Sequence, residues 1–281
     1  MIRECNASDL EFLPLLNPPE KQEKSPDYYF IFNDRKLLLI SENNNIRLPL
    51  EDDIMSFGAK VQRRQYLGEL RESSCFTAET TDCFTEIENV IFEDIRKLPD
   101  IVGESFASVA GRAVHLLEWD NNTQHCGRCG SKTSRKPDER AKQCLECNLL
   151  FFPKISPAII VMIEKEDKIL MARSPHFPPG RYGLIAGFVE PGESIEEAVV
   201  REVMEEVGIC IKDISYFGSQ PWPYPDSLMI AFTAKYLKGE IQFNDGEIED
   251  AVWFRHYEIP YAPRSNSISG KLVDYFVSKH K

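Results

Sequence analysis

Two pairs of cysteines constrain the middle of this chain more than any other feature. Cys126 and Cys129 form one Cys-x-x-Cys pair, Cys144 and Cys147 form another, and fourteen residues lie between them. Segment 121–152, which holds both pairs, is poor in large apolar residues and cannot bury a core of its own. Two pairs at this spacing can place four thiolates at the corners of a tetrahedron, which predicts one structural Zn²⁺ per chain. Redox pairs or unrelated buried thiols are the alternative.

The charge of the whole chain restricts its partners. Its 281 residues include 33 Lys and Arg against 45 Asp and Glu, a net charge of −12, so we expect poor non-specific binding to nucleic acid or to an anionic membrane. A ligand that carries phosphate therefore needs a metal ion or a local basic patch. One basic cluster lies between the cysteine pairs, where a solvated surface explains it equally well: Lys132, Arg135, Lys136, Arg140 and Lys142.

We expect neither a secretory signal nor a membrane-spanning segment in this sequence. It has no stretch of about 18 apolar residues, and its first residues lack the basic start and apolar core of a secretory signal. The paired cysteines are expected to stay reduced and to bind metal. We therefore predict a cytoplasmic protein with no membrane partner.

Composition and periodicity divide the chain into three predicted parts, an N-terminal domain at 1–120, the cysteine segment at 121–152 and a larger domain at 153–281. In the first part, strands at 28–32 and 37–40 and a helix over 104–119 predict a small α+β domain. In the last part, strands alternate with helices, which is typical of a layered α/β or α+β domain. Its predicted strands are 158–163, 168–172, 184–189, 228–236 and 251–254, and its predicted helices are 194–206 and the segment with Ile268, Leu272, Val273 and Phe276.

Residues 187–209 concentrate the acidic residues of the last part. They read GFVEPGESIEEAVVREVMEEVGI. A helix that starts near Ser194 would end at Gly208, because glycine is typical of a helix stop. Its predicted buried stripe is Ile195, Val199 and Val203.

A second face of this helix gathers carboxylates. Glu202, Glu205 and Glu206 fall at spacings that bring them together, so they repel one another unless a cation neutralises them. Hard oxygen ligands select Mg²⁺ or Mn²⁺. Arg201 is placed to pair with Glu193 or another carboxylate and to fix its position. A solvated acidic helix face is the alternative.

The order of these residues resembles the Nudix box. That pattern is Gly, five residues, Glu, seven residues, Arg-Glu, an apolar residue, any residue, Glu-Glu, any residue, Gly and an apolar residue. The chain is therefore similar to Nudix hydrolases, which cleave nucleoside diphosphates linked to another moiety. The constrained positions are all filled, by Gly187, Glu193, Arg201, Glu202, Val203, Glu205, Glu206, Gly208 and Ile209.

A proline-rich string indicates which branch of the Nudix hydrolases the chain resembles. Residues 219–229 read SQPWPYPDSLM, and their alternating prolines stiffen the backbone and present Trp222 and Tyr224 as an aromatic arm suited to stacking on a base. Aromatic side chains that cap a core are the alternative. The string resembles SQPWPFPxS of the NADH pyrophosphatase branch, with Tyr224 where Phe is usual. That branch also has a four-Cys zinc ribbon before its Nudix domain. The resemblance covers 110–281 well and is weak over 1–100.

The resemblance implies a fold, an assembly and a reaction. The expected fold is a Nudix α/β/α sandwich preceded by the ribbon, and the expected assembly is a homodimer. The implied reaction is hydrolysis of NAD(H) to nicotinamide mononucleotide and AMP, including removal of NAD caps from RNA 5′ ends. The implied catalytic residues are Glu193, Arg201, Glu202, Glu205 and Glu206, and the implied ligands of the divalent metal are Glu202, Glu205, Glu206, Glu247 and the Ala186 carbonyl. Glu205 or Glu206 is expected to accept the proton of the attacking water.

The resemblance also implies the substrate contacts. Phe188 is expected to stack on the nicotinamide or adenine side. Phe152 stands where Tyr is frequent, and Ser269 stands where Ala is usual. The complete set is Glu139, Phe152, Phe188, Gln220, Pro221, Trp222, Pro223, Tyr224, Pro225, Asp226, Ser227 and Ser269.

Two other functions remain open on the sequence alone. The chain could act on a different Nudix substrate, such as ADP-ribose. The Nudix box would then have the same role, but Trp222 and Tyr224 would have no base-stacking role. A zinc-ribbon module that binds nucleic acid, with a degenerate hydrolase domain, is a different class of protein. The complete box and the net charge of −12 argue against this second alternative.

Overall fold

The computed structural model of the chain describes residues 11–19, 26–42, 45–58, 60–84, 87–243, 246–260 and 266–281. Contacts between Cα atoms divide the chain into two units, Met1–Lys154 and Ile155–Lys281. Within the described ranges, no helix combines the length and the apolar character that crossing a membrane requires.

The first unit contains a mixed β-sheet. Its strands are β1 (Phe12–Pro14), β2 (Tyr28–Asn33), β3 (Lys36–Glu42), β4 (Asn45–Arg47), β5 (Val61–Leu70), β6 (Ser73–Thr80) and β7 (Val90–Asp94). They pair in the order β1-β5-β6-β2-β3-β4, with β7 also against β3, and all pairs are antiparallel except β2 with β6. The turn between β2 and β3 places Asp34 at φ 55°, a conformation that Asp tolerates.

Helices cover this sheet, which explains why β2 and β3 are apolar on both faces. They are α1 (Glu51–Ser56), α2 (Leu98–Val102) and α3 (Glu104–Asn122). α3 packs against β2, β5 and β6 and buries Val109, Ala113 and Leu116. Neighbouring side chains of a strand point to opposite faces. A separate cluster is formed by Tyr29, Ile31, Leu38 and Ile40 with Ile54 and Phe57 at α1.

The cysteine segment follows α3 as a small antiparallel sheet in the same unit. Its strands are β8 (Thr133–Arg135), β9 (Lys142–Cys144) and β10 (Leu150–Phe151), in the order β10-β9-β8. The buried apolar residues of this segment are few and small, with Ala141 as an example at 2% exposure. The cysteines therefore lie where a hydrophobic core would otherwise be needed.

The second unit is a mixed sheet between two helices. Its strands are β11 (Ser156–Lys165), β12 (Lys168–Arg173), β13 (Ile185–Phe188), β14 (Cys210–Trp222), β15 (Ser227–Lys238) and β16 (Asp250–Arg255), and its helices are α4 (Ile195–Val207) and α5 (Ile268–His280). The order is β14-β15-β11-β12-β16, and β13 pairs with β11. β11 and β15 are parallel and the other pairs are antiparallel.

Strand β11 shows how the sheet is packed between the two helices. Its side chains alternate between the two faces of the sheet, and both faces are covered, so the strand is a continuous apolar run. Ile159, Val161 and Ile163 pack with α4 residues such as Val199. Ile160 and Met162 pack instead with Leu272, Val273 and Phe276 of α5. The predicted α/β/α sandwich and the α+β character of the N-terminal part are thereby confirmed.

The strands and helices predicted from the sequence are present, with bounds that differ by a few residues. Several elements were not predicted, among them β5, β6 and β7 of the first unit and, as the longest, β14 of the second. It spans Cys210–Trp222, is interrupted by bulges, and forms the edge of the sheet beside β15. Much of it is exposed, so its sequence lacks the apolar alternation that marks a strand.

Candidate active site

Helix α4 carries the acidic residues, and hydrogen bonds fix both of its ends. The Glu197 amide donates to Ser194 Oγ at 3.2 Å, and the Ser194 amide donates to Glu197 Oε2 at 2.7 Å, which forms a capping box. At the other end Gly208 adopts a left-handed φ of 69°, which favours glycine, and its amide donates to the Met204 carbonyl. The buried apolar side is Ala198, Val199, Val203 and Val207, with the predicted Ile195 partly buried beside it.

Arg201 connects the acidic face of α4 to the segment before the helix. Its Nε and Nη2 donate to the two Glu193 oxygens at 2.7 and 2.8 Å, so the predicted pairing is present and is bidentate. Nη2 also donates to the Phe188 carbonyl at 2.8 Å. Nη1 donates to Glu202 Oε1 at 2.9 Å and to Glu205 Oε2 at 3.0 Å. One guanidinium therefore orients three carboxylates and the end of β13.

These contacts perturb the ionisation of Glu193. The Arg201 guanidinium and, to a smaller extent, the Glu190 amide lower the pKa of Glu193 to about 2. The carboxylates raise the pKa of Arg201. Glu193 is therefore held as a carboxylate whose negative charge is already neutralised, which suits a positioning role better than binding of a metal ion.

Gly187 on β13 lies directly against the Glu202 carboxylate. A Cβ atom at position 187 would stand 1.9 Å from Glu202 Cδ and 2.0 and 2.2 Å from its oxygens. Only glycine leaves room for the carboxylate there. The first glycine of the box is therefore required because β13 and α4 approach each other closely. Its φ is not positive, so backbone conformation does not explain the glycine.

The carboxylates of α4 differ in exposure. The Glu202 side chain is 12% exposed and that of Glu205 53% exposed, whereas Glu206 is buried. Burial is the main cause that raises the pKa of Glu202; Arg201 opposes the rise, and Glu205 and Glu247 add to it. Glu247 thus lies close enough to Glu202 to repel it.

This set of oxygen donors fits a hard divalent cation. A bound cation would relieve the repulsion between Glu202, Glu205 and Glu247. Ala186 lies beside Gly187 on β13, paired with Ile160. Among the described residues, the atoms of these carboxylates do not converge as closely as those of the cysteine cluster do.

The four cysteines form a compact sulfur cluster. Their Sγ atoms all lie within 4.8 Å of one another, with Cys126 to Cys147 at 3.5 Å and Cys129 to Cys144 at 3.4 Å. Zn–S bonds of about 2.3 Å in a tetrahedron separate the sulfurs by roughly 3.8 Å, so the cluster fits Zn²⁺. Amides of Arg128 and Cys147 donate to the sulfurs of Cys126 and Cys144 at 3.4 Å, as expected around thiolates.

The basic cluster between the cysteine pairs is largely used inside the first unit. Lys142 is 3% exposed and pairs with Asp120 at 3.2 Å, and Arg135 pairs with the same carboxylate at 3.3 Å. Lys136 pairs with Asp138 and Glu139 at 3.3 Å. These pairs favour a structural role over an open phosphate-binding surface. Asp120 is the carboxylate that holds Lys142 and Arg135, and it was not predicted from the sequence. Its position as an acidic residue in the last turn of an apolar helix could have indicated this role.

The aromatic arm is the tip of a β-hairpin. Trp222 ends β14 and pairs with Ser227 at the start of β15, so the prolines flank a tight turn with a cis Tyr224–Pro225 bond. The Trp222 and Tyr224 rings lie 5.0 Å apart at 66°. Trp222 is 39% exposed. The arm therefore keeps an aromatic surface open to solvent, unlike a cap over the core.

Gln220 holds the arm to the C-terminal helix. Its Nε2 donates to the Asn266 carbonyl at 3.0 Å, and its Oε1 accepts from the Ile268 amide at 2.6 Å. Both ends of this amide are thus engaged at the start of α5, where Ser269 also lies half-buried. Sequence reasoning placed Gln220 on the substrate and gave no sign of this contact, because 48 residues separate it from Ile268.

The other predicted substrate residues fall in both units. Phe188 is 58% exposed at the end of β13, and Ser227 is 9% exposed. Asp226 accepts a hydrogen bond from the Ser156 amide through its carbonyl at 2.9 Å. Glu139 and Phe152 belong to the first unit, where Glu139 pairs with Lys136 and Phe152 is 56% exposed.

Comparison with known families accounts for almost the whole chain. Residues 154–276 match the NUDIX domain, and residues 121–152 match the NADH pyrophosphatase zinc ribbon domain. Residues 26–119 match the NADH pyrophosphatase-like rudimentary NUDIX domain. The N-terminal part, where the sequence resemblance was weak, is therefore also related to this group.

Two relatives and one solved structure are similar to this chain to different extents. A protein named NAD-capped RNA hydrolase NudC from Pseudomonas fluorescens Pf0-1 is 46% identical over 171 residues, 61% of this chain and 62% of that protein. A protein of the same name from Chromobacterium violaceum is 35% identical over 263 residues, 93% of this chain and 96% of that protein. A crystal structure of a NUDIX hydrolase from Nitrosomonas europaea is 20% identical with a TM-score of 0.48, covering 56% of this chain and 91% of that one.

The alignment thus spans less than two thirds of the Pseudomonas relative and nearly all of the Chromobacterium relative. The second relative and the three consecutive domain matches lead to one conclusion. The chain belongs to the Nudix hydrolase family, in the branch of the NADH pyrophosphatases and NAD-capped RNA hydrolases.

Proposed function

We propose that this chain hydrolyses the diphosphate bond of NAD(H) to nicotinamide mononucleotide and AMP, and that it removes NAD caps from RNA 5′ ends by the same reaction. The observation that carries the proposal is the set of α4 carboxylates oriented by Arg201 beside Gly187. The names of the relatives and of the matched ribbon and N-terminal domains support the choice of substrate.

The proposed metal site lies between α4, β13 and the segment before β16. Glu202, Glu205, Glu206, Glu247 and the Ala186 carbonyl would hold Mg²⁺ or Mn²⁺, because all are hard oxygen donors. A divalent ion at such a site neutralises the diphosphate oxygens and lowers the pKa of a bound water.

Several residues of the chain have defined tasks in this proposal. Arg201 and Glu193 hold the carboxylates of α4 in place. Glu206 is the favoured acceptor of the water proton, since it is buried, whereas Glu205 is exposed and bound by Arg201. The sequence did not choose between these two glutamates.

The substrate side of the proposal rests on aromatic rings, of which Trp222 and Phe188 are exposed and Tyr224 is half-buried. Trp222 and Tyr224 at the hairpin tip and Phe188 at the end of β13 offer ring surface to a base. We propose that the remaining arm residues, with Ser269, shape the pocket around the dinucleotide. Glu139 and Phe152, which belong to the first unit, stay substrate contacts that we propose from the family resemblance alone.

The proposal extends to organisation and setting. We propose domains at 1–120, 121–152 and 153–281, supported by the ranges of the family matches. The cysteine cluster would hold one structural Zn²⁺, and its four reduced thiols favour the cytoplasm. A homodimer is proposed from family membership.

A substrate panel tests this function. NADH, ADP-ribose and a 5′-NAD-capped RNA are incubated with the chain and Mg²⁺ or Mn²⁺, with chelator as a blank. We expect metal-dependent release of nicotinamide mononucleotide from NADH or from the RNA. Cleavage of ADP-ribose alone would keep Nudix chemistry and refute the stacking role of Trp222 and Tyr224.

A pair of variants tests the residue assignment. Glu206→Gln should abolish turnover while the zinc content and the melting temperature stay near wild type. Glu196→Gln, an exposed glutamate in the first turn of the same helix, is the matched control and should leave turnover unchanged. Turnover of Glu206→Gln within a few-fold of wild type would contradict the assignment.

A further inference from the structure

The first unit contains a polar cavity whose lining includes one proposed substrate contact, Glu139, and otherwise has no part in the proposed reaction. It has a volume of about 90 Å³, several times the roughly 10–15 Å³ that one water needs. Its walls come from the ribbon, from α3 and from β5, all within the same unit. The residues that matter here are Tyr66, Trp119, Arg135, Lys136, Glu139 and Arg140.

The walls carry three cations and one carboxylate. Lys136 pairs at 3.3 Å with Glu139 and with Asp138 beside the cavity, so this group carries one negative charge. Arg135 shares the single carboxylate of Asp120 with Lys142, so that pairing leaves one positive charge over. These two groups cancel, so the surplus of positive charge at the cavity is the single charge of Arg140, although the chain as a whole is strongly acidic.

Arg140 contributes a charge that is not balanced. Its Nη1 and Nη2 donate to the carbonyls of Tyr66 at 3.2 Å and Leu15 at 2.7 Å, which leaves three of its five N–H donors. No carboxylate among the described residues forms an ion pair with it. Burial first, and then repulsion from Arg112 and Arg135, hold the pKa of Arg140 below its usual range. An anion beside Arg140 would relieve this repulsion.

A buried donor borders the same cavity. Trp119 is 6% exposed, and its indole N–H has no hydrogen-bond acceptor in the part of the chain that the structure describes. Indole can only donate, and an unsatisfied buried donor is costly. The Tyr66 hydroxyl also lacks a hydrogen bond of good geometry, although burial raises its pKa and the nearby Ser74 lowers it.

We propose that this cavity binds a phosphate group, as inorganic phosphate or as a phosphate monoester, with Arg140 and Trp119 as the main donors. Guanidinium groups match the oxygens of phosphate in shape and charge. A phosphate group has three or more acceptor oxygens where a carboxylate has two, so it can better accept from both Arg140 and Trp119. The volume accepts the phosphate group itself, so any attached nucleoside would remain outside.

Calorimetric titration of the full-length, zinc-loaded chain tests this site. Inorganic phosphate, AMP and nicotinamide mononucleotide are added separately, without Mg²⁺ or Mn²⁺, so that the carboxylates of α4 repel the ligands. We expect at least one of the three to bind, and the strongest binder identifies the source of the phosphate. Binding is measured without turnover, so this result and that of the proposed hydrolysis are independent.

Two variants and one control locate the binding. Trp119→Phe keeps an aromatic ring but removes the N–H, and it should weaken binding about tenfold, the effect of one hydrogen bond to a charged group. Arg140→Gln should remove binding altogether. Lys132→Gln makes the same change of charge on an exposed part of the ribbon and should bind like wild type.

Zinc content and melting temperature show whether each variant is folded. If Arg140→Gln is not folded, Trp119→Phe alone decides the test. Absence of binding by all three ligands to the wild-type chain would overturn the proposal. Equal affinities in wild type and Trp119→Phe would overturn it as well.

Discussion

A methyl group at position 187 should disable the proposed active site without unfolding the domain. The Cβ of an alanine there would lie 1.9 Å from Glu202 Cδ, whereas ordinary contacts begin at 3.4 Å. The carboxylate must therefore move by at least about 1.5 Å, the difference between these two distances. It stands at the end of a flexible side chain and can turn away, while β13 and α4 stay in place.

The two consequences of this movement differ in size. Glu202 would lose its 2.9 Å hydrogen bond to Arg201, which costs about 1–3 kcal/mol of unfolding free energy and a few degrees of melting temperature. A displacement of about 1 Å at a reacting centre costs about a hundredfold in rate, or roughly 2.7 kcal/mol. We therefore expect kcat to fall at least about a hundredfold while the fold survives.

Steady-state hydrolysis of NADH and thermal melting of Gly187→Ala measure both quantities. Gly218→Ala is the matched control, since its added Cβ meets only Ile268 at an ordinary 3.7 Å, and it should keep near-normal kcat. A kcat of Gly187→Ala within threefold of wild type would refute the reasoning. Loss of the folded state would refute it too, because it would show that the backbone and not the carboxylate yields.

Three further predictions follow from the same structure. Arg201→Lys should lower kcat about a hundredfold, because lysine cannot form the bidentate pair with Glu193; a change under threefold would contradict this. The lowered pKa of Glu193 favours its ionised form in the folded chain, so its stabilisation is complete above about pH 4.5 and disappears as the pH falls towards 2. The difference in melting temperature between wild type and Glu193→Gln should therefore be constant from pH 8 to 5 and shrink below pH 4.5; shrinkage between pH 8 and 6 would argue against it. Cys144→Ser should release the zinc, detected with a chromogenic chelator, and unfold the ribbon, since structural zinc contributes on the order of 10 kcal/mol in isolated zinc-finger peptides; a folded ribbon without metal would disprove the metal-dependent core.

The sequence predicted those elements whose structure depends on residues that are close to one another in the chain. Ser194 and Gly208 were the predicted ends of α4, and the structure shows a capping box at the first and a left-handed glycine at the second. The continuous apolar run at 158–163 predicted a strand, and in the structure β11 is buried on both faces. The cysteine spacing predicted a metal cluster because each Cys-x-x-Cys pair itself brings its two sulfurs together.

Other features depend on partners that are distant in sequence. No strand was predicted at the proline-rich arm, yet Pro221 lies in β14, an edge strand, where a missing amide is tolerated. The charges of Lys142 and Arg135 looked available for a ligand until the structure placed Asp120 beside them. A pattern of residue types does not show which charge meets which.

The alternation along β11 also affects how the second unit can change by mutation. Ile159 and Val161 lie in one core with α4, and Ile160 and Met162 lie in the other with α5, so the two sets share few side-chain neighbours. Free-energy changes at sites without shared partners are additive. The sheet therefore acts as a partition. Substitutions that adapt the surface behind α5 to new surroundings can accumulate without disturbing the helix that carries the carboxylates.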